Sequence, residues 1–181
     1  MNPVKSKKSK ISADSLPANR TSNGMKECVI ILDNIRSVEN AGSIFRTAEG
    51  LGVLKIILVG TTPAPLDRFG RERKDFIKVS LGTEKIVEWE YAKNIRPVMA
   101  ELKSQGFKII ALEQHPKANK LSSYNTKKLN NFALIVGNEV EGVSKETLEL
   151  ADDIIEIPMM GSKESLNVSV ATGVALFTLL K

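Results

Sequence analysis

Five short apolar runs recur along the chain: CVIILD (28–33), KIILVG (55–60), FKIIALE (107–113), FALIVG (132–137) and DIIEIP (153–158). Each is nearly continuous rather than alternating, the pattern of a strand covered on both faces. The segments between them predict helices near 40–50, 92–105, 144–150 and 165–180, while LGTEKIVEW (81–89) predicts a short helix and an extended piece. Strands alternating with helices imply an α/β fold, a mainly parallel sheet flanked by helices. No internal repeat or linker interrupts the pattern, so residues 27–181 are expected to form one domain. No run reaches roughly 18 uninterrupted apolar residues, and no transmembrane helix is expected.

Two of the helices carry information beyond their existence. In the first, Asn40 is the expected N-cap and Gly52 the stop. At about 3.6 residues per turn, Ala41, Ile44, Phe45, Ala48 and Leu51 share a core face. Arg46 falls on another face, with Gly42 and Ser43 one turn before it and Gly50 one turn after. Neighbours that small leave a guanidinium open to a backbone, a phosphate or a ribose, although an exposed arginine on an ordinary helix gives the same pattern. The last helix is apolar in every direction from Val168 to Leu180 and must be buried all round. Ala171, Gly173 and Ala175 keep it thin enough for close packing. Such a helix is expected on the sheet and against a second copy of the chain, as a homodimer.

Composition is that of a globular domain, with 42% of the 181 residues hydrophobic and 26% charged. Charge placement changes the picture. The net charge of +5 resides in residues 1–26, where Lys5, Lys7, Lys8, Lys10, Arg20 and Lys26 face only Asp14. This Ser-, Lys- and Asn-rich stretch has little to bury and reads as a disordered basic tail, suited to a polyanion or simply to solubility. Two internal segments extend the theme. DRFGRERKDFIK (67–78) carries Arg68, Arg71, Arg73, Lys74 and Lys78; HPKANKLSSYNTKK (115–128) carries Lys117, Lys120, Lys127 and Lys128 without an acid. Both read as loops, either solvated or lining a nucleic-acid groove in which Phe69 or Tyr124 could stack on a base.

A single cysteine, Cys28, and a single histidine, His115, argue against a disulfide framework, a Cys/His zinc site and a Ser-His-Asp triad. No metal is expected. Cys28 reads as a small buried hydrophobe and His115 as a loop residue. The N-terminus lacks the apolar stretch of a secretory signal, so the expected location is cytoplasmic, with no membrane partner.

Two further stretches hold candidate chemistry. ALIVGNEVEGVS (133–144) runs a strand into Gly137-x-Glu139-x-x-Gly142. A dinucleotide fold would want glycine where Glu139 stands, and would want the motif after its first strand. Gly137 at a strand's carboxyl end still permits close ligand approach. In IPMMGSKESLN (157–167), Pro158 ends a strand, a glycine-containing loop follows, and Ser165 or a neighbour caps the last helix.

Taken together, Asn40-Ala41-Gly42 with Arg46-Thr47-Ala48, then GNEVEG, then IPMMGSKESLNVSVA resemble the three motifs of the SpoU/TrmH branch of SPOUT methyltransferases. The similarity covers residues 27–181. It implies a C-terminal trefoil knot, S-adenosyl-L-methionine as cofactor, an obligate homodimer and methylation of an RNA ribose 2′-hydroxyl. Carried onto this chain, the cofactor lies against Gly137, Ile157, Met159, Met160, Gly161, Ser165 and Leu166. Arg46, Asn40, Glu139, Ser165 and Asn167 are the implied catalytic group. RNA is expected to meet Arg46, Arg68, Arg71, Arg73, Lys74, Lys117 and Lys120. The family assigns Arg46 as the base, yet a guanidinium holds its proton at any ordinary pH. Its expected role here is a clamp on phosphate and 2′-oxygen. With only a short basic tail outside the domain, tRNA is the expected substrate, with a D-loop guanosine as target. The alternatives are rRNA methylation, or a non-catalytic RNA-binding or assembly factor on the same scaffold.

Overall fold

The five apolar runs become the five inner strands of one parallel sheet. The computed structural model describes residues 26–181; the basic tail lies outside these residues except for Lys26, whose Nζ donates to the Leu179 and Lys181 carbonyls at 2.8 and 2.6 Å. The strands are β1 (Cys28–Asp33), β2 (Lys55–Val59), β3 (Glu88–Ala92), β4 (Lys108–Leu112), β5 (Asn119–Lys120), β6 (Phe132–Val136) and β7 (Asp153–Glu156). They lie in the order β3-β2-β1-β6-β4-β7-β5, with every pairing parallel. The helices are α1 (Val38–Gly50), α2 (Lys74–Ser80), α3 (Ile95–Ser104), α4 (Lys145–Leu150) and α5 (Val168–Leu179).

Strand periodicity divides the core in two. Cys28, Ile30 and Leu32 of β1 point to one face, against Ala41, Ile44, Phe45 and Ala48 of α1, Phe76 of α2 and Leu176 and Leu179 of α5. Val29 and Ile31 point to the other, where Val98, Met99 and Leu102 of α3 cover them and α4 adds Leu148 and Leu150. β1 is buried throughout, which explains why its sequence shows no alternation. Phe45 and Phe76 meet edge to face at 5.2 Å, joining α1 to α2.

Several local expectations change. Ser37, not Asn40, caps α1, its hydroxyl accepting from the Asn40 N–H at 3.0 Å, so Asn40 sits inside the first turn and its side chain is free for other work. Gly42 does not open the helix surface. A Cβ there would lie 2.9 Å from Val79, so this glycine lets α2 press against α1. The segment 67–78 is not all loop, since Lys74–Ser80 form α2, anchored by Phe76; a helix of 7 residues is too short to show a periodic signal. The extended piece after a 3₁₀ turn at Thr83–Lys85 runs on as β3 to Ala92, so α3 starts at Ile95 rather than near 92. α5 begins at Val168 with Asn167 as its cap, not at Ser165. Within one chain α5 is not buried all round: Val170, Val174 and Phe177 are exposed along one stripe. Among the described residues, no helix is long and apolar enough to cross a membrane.

Candidate active site

A cavity of about 530 Å³ opens beyond the carboxyl ends of β4, β6 and β7. Ligands of open parallel sheets bind at this edge, where strand ends leave backbone groups unpaired and loops can close around them. Its walls are the turn after β6, the loop after β7 and the residues that follow β4.

Gly137 follows β6 directly, and the turn folds back so tightly that a Cβ on Gly137 would lie 2.3 Å from the Gly142 backbone. Gly142 has φ 69°, and its own Cβ would strike the Glu113 carboxylate at 2.3 Å. The sequence G-x-E-x-x-G is thus turn chemistry that raises Glu139 to the cavity rim. There its Oε1 accepts from Asn40 Nδ2 at 2.8 Å and the Ser37 N–H at 3.2 Å, and its Oε2 from the Arg36 N–H at 2.9 Å. Partial burial pushes the Glu139 carboxyl upward, but these donors outweigh it and hold the group below its ordinary 4.5.

A carboxylate only accepts, so Asn40 must turn its amide nitrogen to Glu139 and its oxygen away. That oxygen accepts from Asn167 Nδ2 at 3.0 Å. Asn167 in turn spends its own oxygen on the Ser169 and Val170 N–H groups, capping α5. One chain of hydrogen bonds, Glu139–Asn40–Asn167, therefore ties together three segments distant in sequence.

Of the other expected residues, Ile157, Met159, Ser165 and Leu166 line the cavity with Gly137, Glu139 and Asn167. Met160 and Gly161 stand outside its lining, and Met160 is almost fully exposed. Arg46 is exposed on α1, bordering a separate groove with Ser43, Thr47, Glu49 and Thr83. It lies six residues beyond Asn40, about 9 Å along the helix axis, and does not line the cavity of its own chain. Among the expected RNA contacts, Arg71 pairs with Asp67 at 2.8 Å and Arg73 with Asp75 at 2.6 Å. Lys117 and Lys120 are exposed.

Three residues were not singled out from sequence. Glu113, immediately after β4, accepts from the Val143 N–H at 2.7 Å and the Gln114 N–H at 2.9 Å. Gln114 Nε2 donates to the Glu164 carbonyl. This pair clasps the turn after β6 to the loop after β7, fixing two walls at once. Asn138 Nδ2 donates to the Asn34 carbonyl at 3.0 Å, fastening the same turn to the end of β1. The legible signal was position, polar residues directly at the carboxyl end of a buried parallel strand.

The cavity's charged lining is Glu113, Glu139, Glu156 and Glu164, and none of these forms an ion pair among the described residues. An anionic rim over the apolar walls of Leu112, Ile157, Leu166 and Val168 suits a ligand with a flat ring and net positive charge.

Comparisons with known proteins agree with this arrangement. The family described as "SpoU rRNA Methylase family" matches residues 27–177. A tRNA (guanosine(18)-2′-O)-methyltransferase of Aquifex aeolicus is 34% identical over 152 residues, which are 84% of this chain and 68% of the relative. A 23S rRNA (guanosine-2′-O-)-methyltransferase of Photobacterium profundum is 32% identical over 82% of this chain and 57% of its own length, so the chain spans little more than half of that relative. The crystal structure of an AdoMet-bound rRNA methyltransferase from Sinorhizobium meliloti superposes with a TM-score of 0.74 at 26% identity, over 86% of this chain and 56% of that one.

Proposed function

This chain belongs to the SpoU rRNA Methylase family, and from that premise we propose that it is an S-adenosyl-L-methionine-dependent RNA ribose 2′-O-methyltransferase. The observation that carries the proposal is the Glu139–Asn40–Asn167 chain at the mouth of the cavity. It holds the first turn of α1, the turn after β6 and the loop after β7 at fixed spacing around one volume, as transfer between two bound reactants requires.

The cavity fits the cofactor, whose sulfonium and ammonium outweigh its single carboxylate. When bound, it supplies an electrophilic methyl group. Gly137, Ile157, Met159 and Leu166 would hold its adenosyl part, with Ser165 beside the reacting end. What remains for the protein is to align a ribose oxygen and manage its proton.

Arg46 is our choice for the oxygen. Its fork can grip a phosphate and the 2′-oxygen together, stabilising negative charge as the proton leaves to solvent. Because Arg46 does not line its own chain's cavity, we propose that it serves the cavity of a second copy. The exposed stripe of Val170, Val174 and Phe177 on α5 supports such a homodimer, since three large apolar side chains on one helix face favour a partner. A trefoil knot is part of the proposal. What supports it is that α5 packs on α1 and that Gln114, in the β4–β6 connection, donates to the Glu164 carbonyl in the loop after β7. The substrate we propose is tRNA, the target named for the Aquifex relative, of which this chain spans the larger share.

The test is to incubate the protein with methyl-labelled S-adenosyl-L-methionine and either total tRNA or rRNA, then map the labelled nucleotide. A labelled 2′-O-methyl guanosine in tRNA is the expected result. Label in rRNA alone transfers the proposal to the ribosome, and cofactor binding without transfer to either RNA overturns it.

A further inference from the structure

After β2 the chain makes a small hairpin whose tip carries a side chain that folding alone does not explain. Leu66 and Glu72 pair across its base, and the Arg73 N–H donates to the Pro65 carbonyl at 2.9 Å. At the tip, Asp67 fastens everything around it. Its Oδ1 accepts from the Phe69 and Arg71 N–H groups at 2.8 and 3.0 Å, and its Oδ2 from Arg71 Nε at 2.8 Å. Gly70 takes φ 78° to complete the reversal. What this locked turn presents is Phe69, 66% exposed, with the Arg68 guanidinium 4.7 Å and the Arg71 guanidinium 5.0 Å from its ring centroid.

An aromatic ring held out in water on a rigid turn is a poor fold element and a good stacking surface. Two guanidinium groups beside it disfavour insertion into an apolar protein pocket, because both would have to be desolvated. They suit instead a partner with a flat ring joined to phosphates.

The loop that leads into the hairpin is tied to a wall of the candidate site. The loop after β2 is bonded to the loop after β1 through Thr62 Oγ1, which accepts from the Ile35 N–H at 3.0 Å, and through Asn34, whose Oδ1 accepts from the Thr61 N–H at 3.1 Å. That same β1 loop donates to Glu139. On its other side the hairpin runs into α2, which Gly42 lets pack directly on the helix bearing Arg46.

We propose that the hairpin tip, residues 67–71, is a stacking platform for one unpaired nucleotide of the RNA. The base lies on Phe69, and Arg68 and Arg71 take the flanking phosphates. This rests on the RNA-methyltransferase reading and deepens it. The substrate must offer an unstacked base near the methylated ribose, as a loop does and a continuous duplex does not.

The experiment compares two RNAs in fluorescence anisotropy with the full chain: a stem-loop with an unpaired loop, and a fully paired duplex of equal length. Phe69→Ala should weaken stem-loop binding about tenfold or more while leaving duplex binding unchanged, and Phe69→Trp should restore it. Arg68→Ala should weaken both RNAs and lower the slope of log affinity against log salt by about one unit. Calorimetric binding of S-adenosyl-L-methionine should be the same in all three variants, which also reports that they fold. Phe69→Ala binding the stem-loop as tightly as the wild type, weakening both RNAs equally, or resisting rescue by Trp would each overturn the platform while leaving methylation by the wild type intact. A wild type that transfers no methyl group to either RNA class removes the underlying reading, and the platform with it.

Discussion

The two ends of the sheet treat charge in opposite ways. At the amino end three lysines have counter-ions, although the buried Glu84 just before β3 forms no ion pair among the described residues. Lys55, almost fully buried at the start of β2, meets Glu88 at 3.2 Å and Glu90 at 3.0 Å on the neighbouring strand. Lys108 pairs with Asp153 at 2.5 Å, and Lys103 with Asp152 at 2.6 Å. At the carboxyl end Glu113, Glu139, Glu156 and Glu164 gather around one cavity, and none of them forms an ion pair among the described residues. A buried charge is costly unless it is paired, as Lys55 is at the amino end. Carboxylates gathered along one edge without an ion-pair partner suit a ligand that brings positive charge. The contrast therefore assigns stability to one end and function to the other, and it can be broken at either.

The largest effect is expected at Arg46. Replacing it by lysine keeps the charge but removes the two-pronged geometry. Methyl transfer should fall about 10²–10³-fold, the usual cost of losing one preorganised charge-stabilising donor, while RNA binding measured by anisotropy stays within a few-fold. If Arg46 acts as a clamp, the loss persists at every pH. Recovery of full activity in alkaline buffer would identify a base instead and overturn the clamp.

How much of this contrast could be read in the sequence divides along physical lines. The inner strands were legible to within a residue or two, because a strand buried on both faces has nowhere to place a polar side chain. The three motifs were legible because their residue types are odd for their places, Glu139 where a turn would take glycine and Asn167 opening an apolar helix. Invisible were α2, too short for periodicity; the capping role of Ser37, which frees Asn40 for Glu139; and the Glu113–Gln114 clasp, whose partners are 30 and 50 residues away. The pairing of Lys55 with Glu88 and Glu90 is likewise a fact of register between β2 and β3, which no local pattern encodes.

A smaller effect is expected at the clasp. Glu113→Ala removes the acceptor for the Val143 and Gln114 N–H groups and loosens the wall shared by two loops. Cofactor affinity by calorimetry should fall about tenfold, in the range found when residues supporting a binding site are lost. Glu113→Gln keeps one acceptor oxygen for Val143 and should recover most of the affinity. If both variants bind the cofactor as the wild type does and only the melting temperature falls, Glu113 is structural and the division between the two ends weakens.

At Glu139 the contrast becomes a pH dependence. Its folded carboxyl titrates below the ordinary 4.5 because Asn40 and two backbone N–H groups favour the anion, against the upward push of partial burial. A depressed carboxyl lends its stabilisation above the unfolded value and loses it as pH falls through the folded one. Cofactor affinity should thus be flat from neutral pH down to about 5 and decline only below the ordinary carboxyl value. Glu139→Gln, which cannot satisfy all three donors as an anion does, should bind more weakly throughout and with a shallower acid limb. A wild-type decline centred near pH 6 or above would show that some other group governs the site.

The smallest effect belongs to the amino end, and it tests the other half of the comparison. Tyr124 donates to Asp153 Oδ2 at 2.5 Å, and Lys108 holds the same carboxylate. Partial burial pushes Asp153 upward, but Lys108 and Tyr124 outweigh it and keep it below its ordinary 3.8. Burial and the nearby Asp153 together raise the Tyr124 hydroxyl, so it stays a donor across the working range. Tyr124→Phe deletes that donor and leaves the ring in place. Because Lys108 still neutralises Asp153, the loss is one hydrogen bond, about 1 kcal/mol in denaturant unfolding near pH 7. It should shrink as pH falls below 3.8, where Asp153 gains its proton and the bond to its anion disappears in the wild type as well. Methyl transfer and cofactor affinity should not move, since nothing at this end faces the cavity. A drop in transfer with stability preserved would mean that the paired charges of the amino end are coupled to the open ones opposite, and the division of labour along the strands would have to be abandoned.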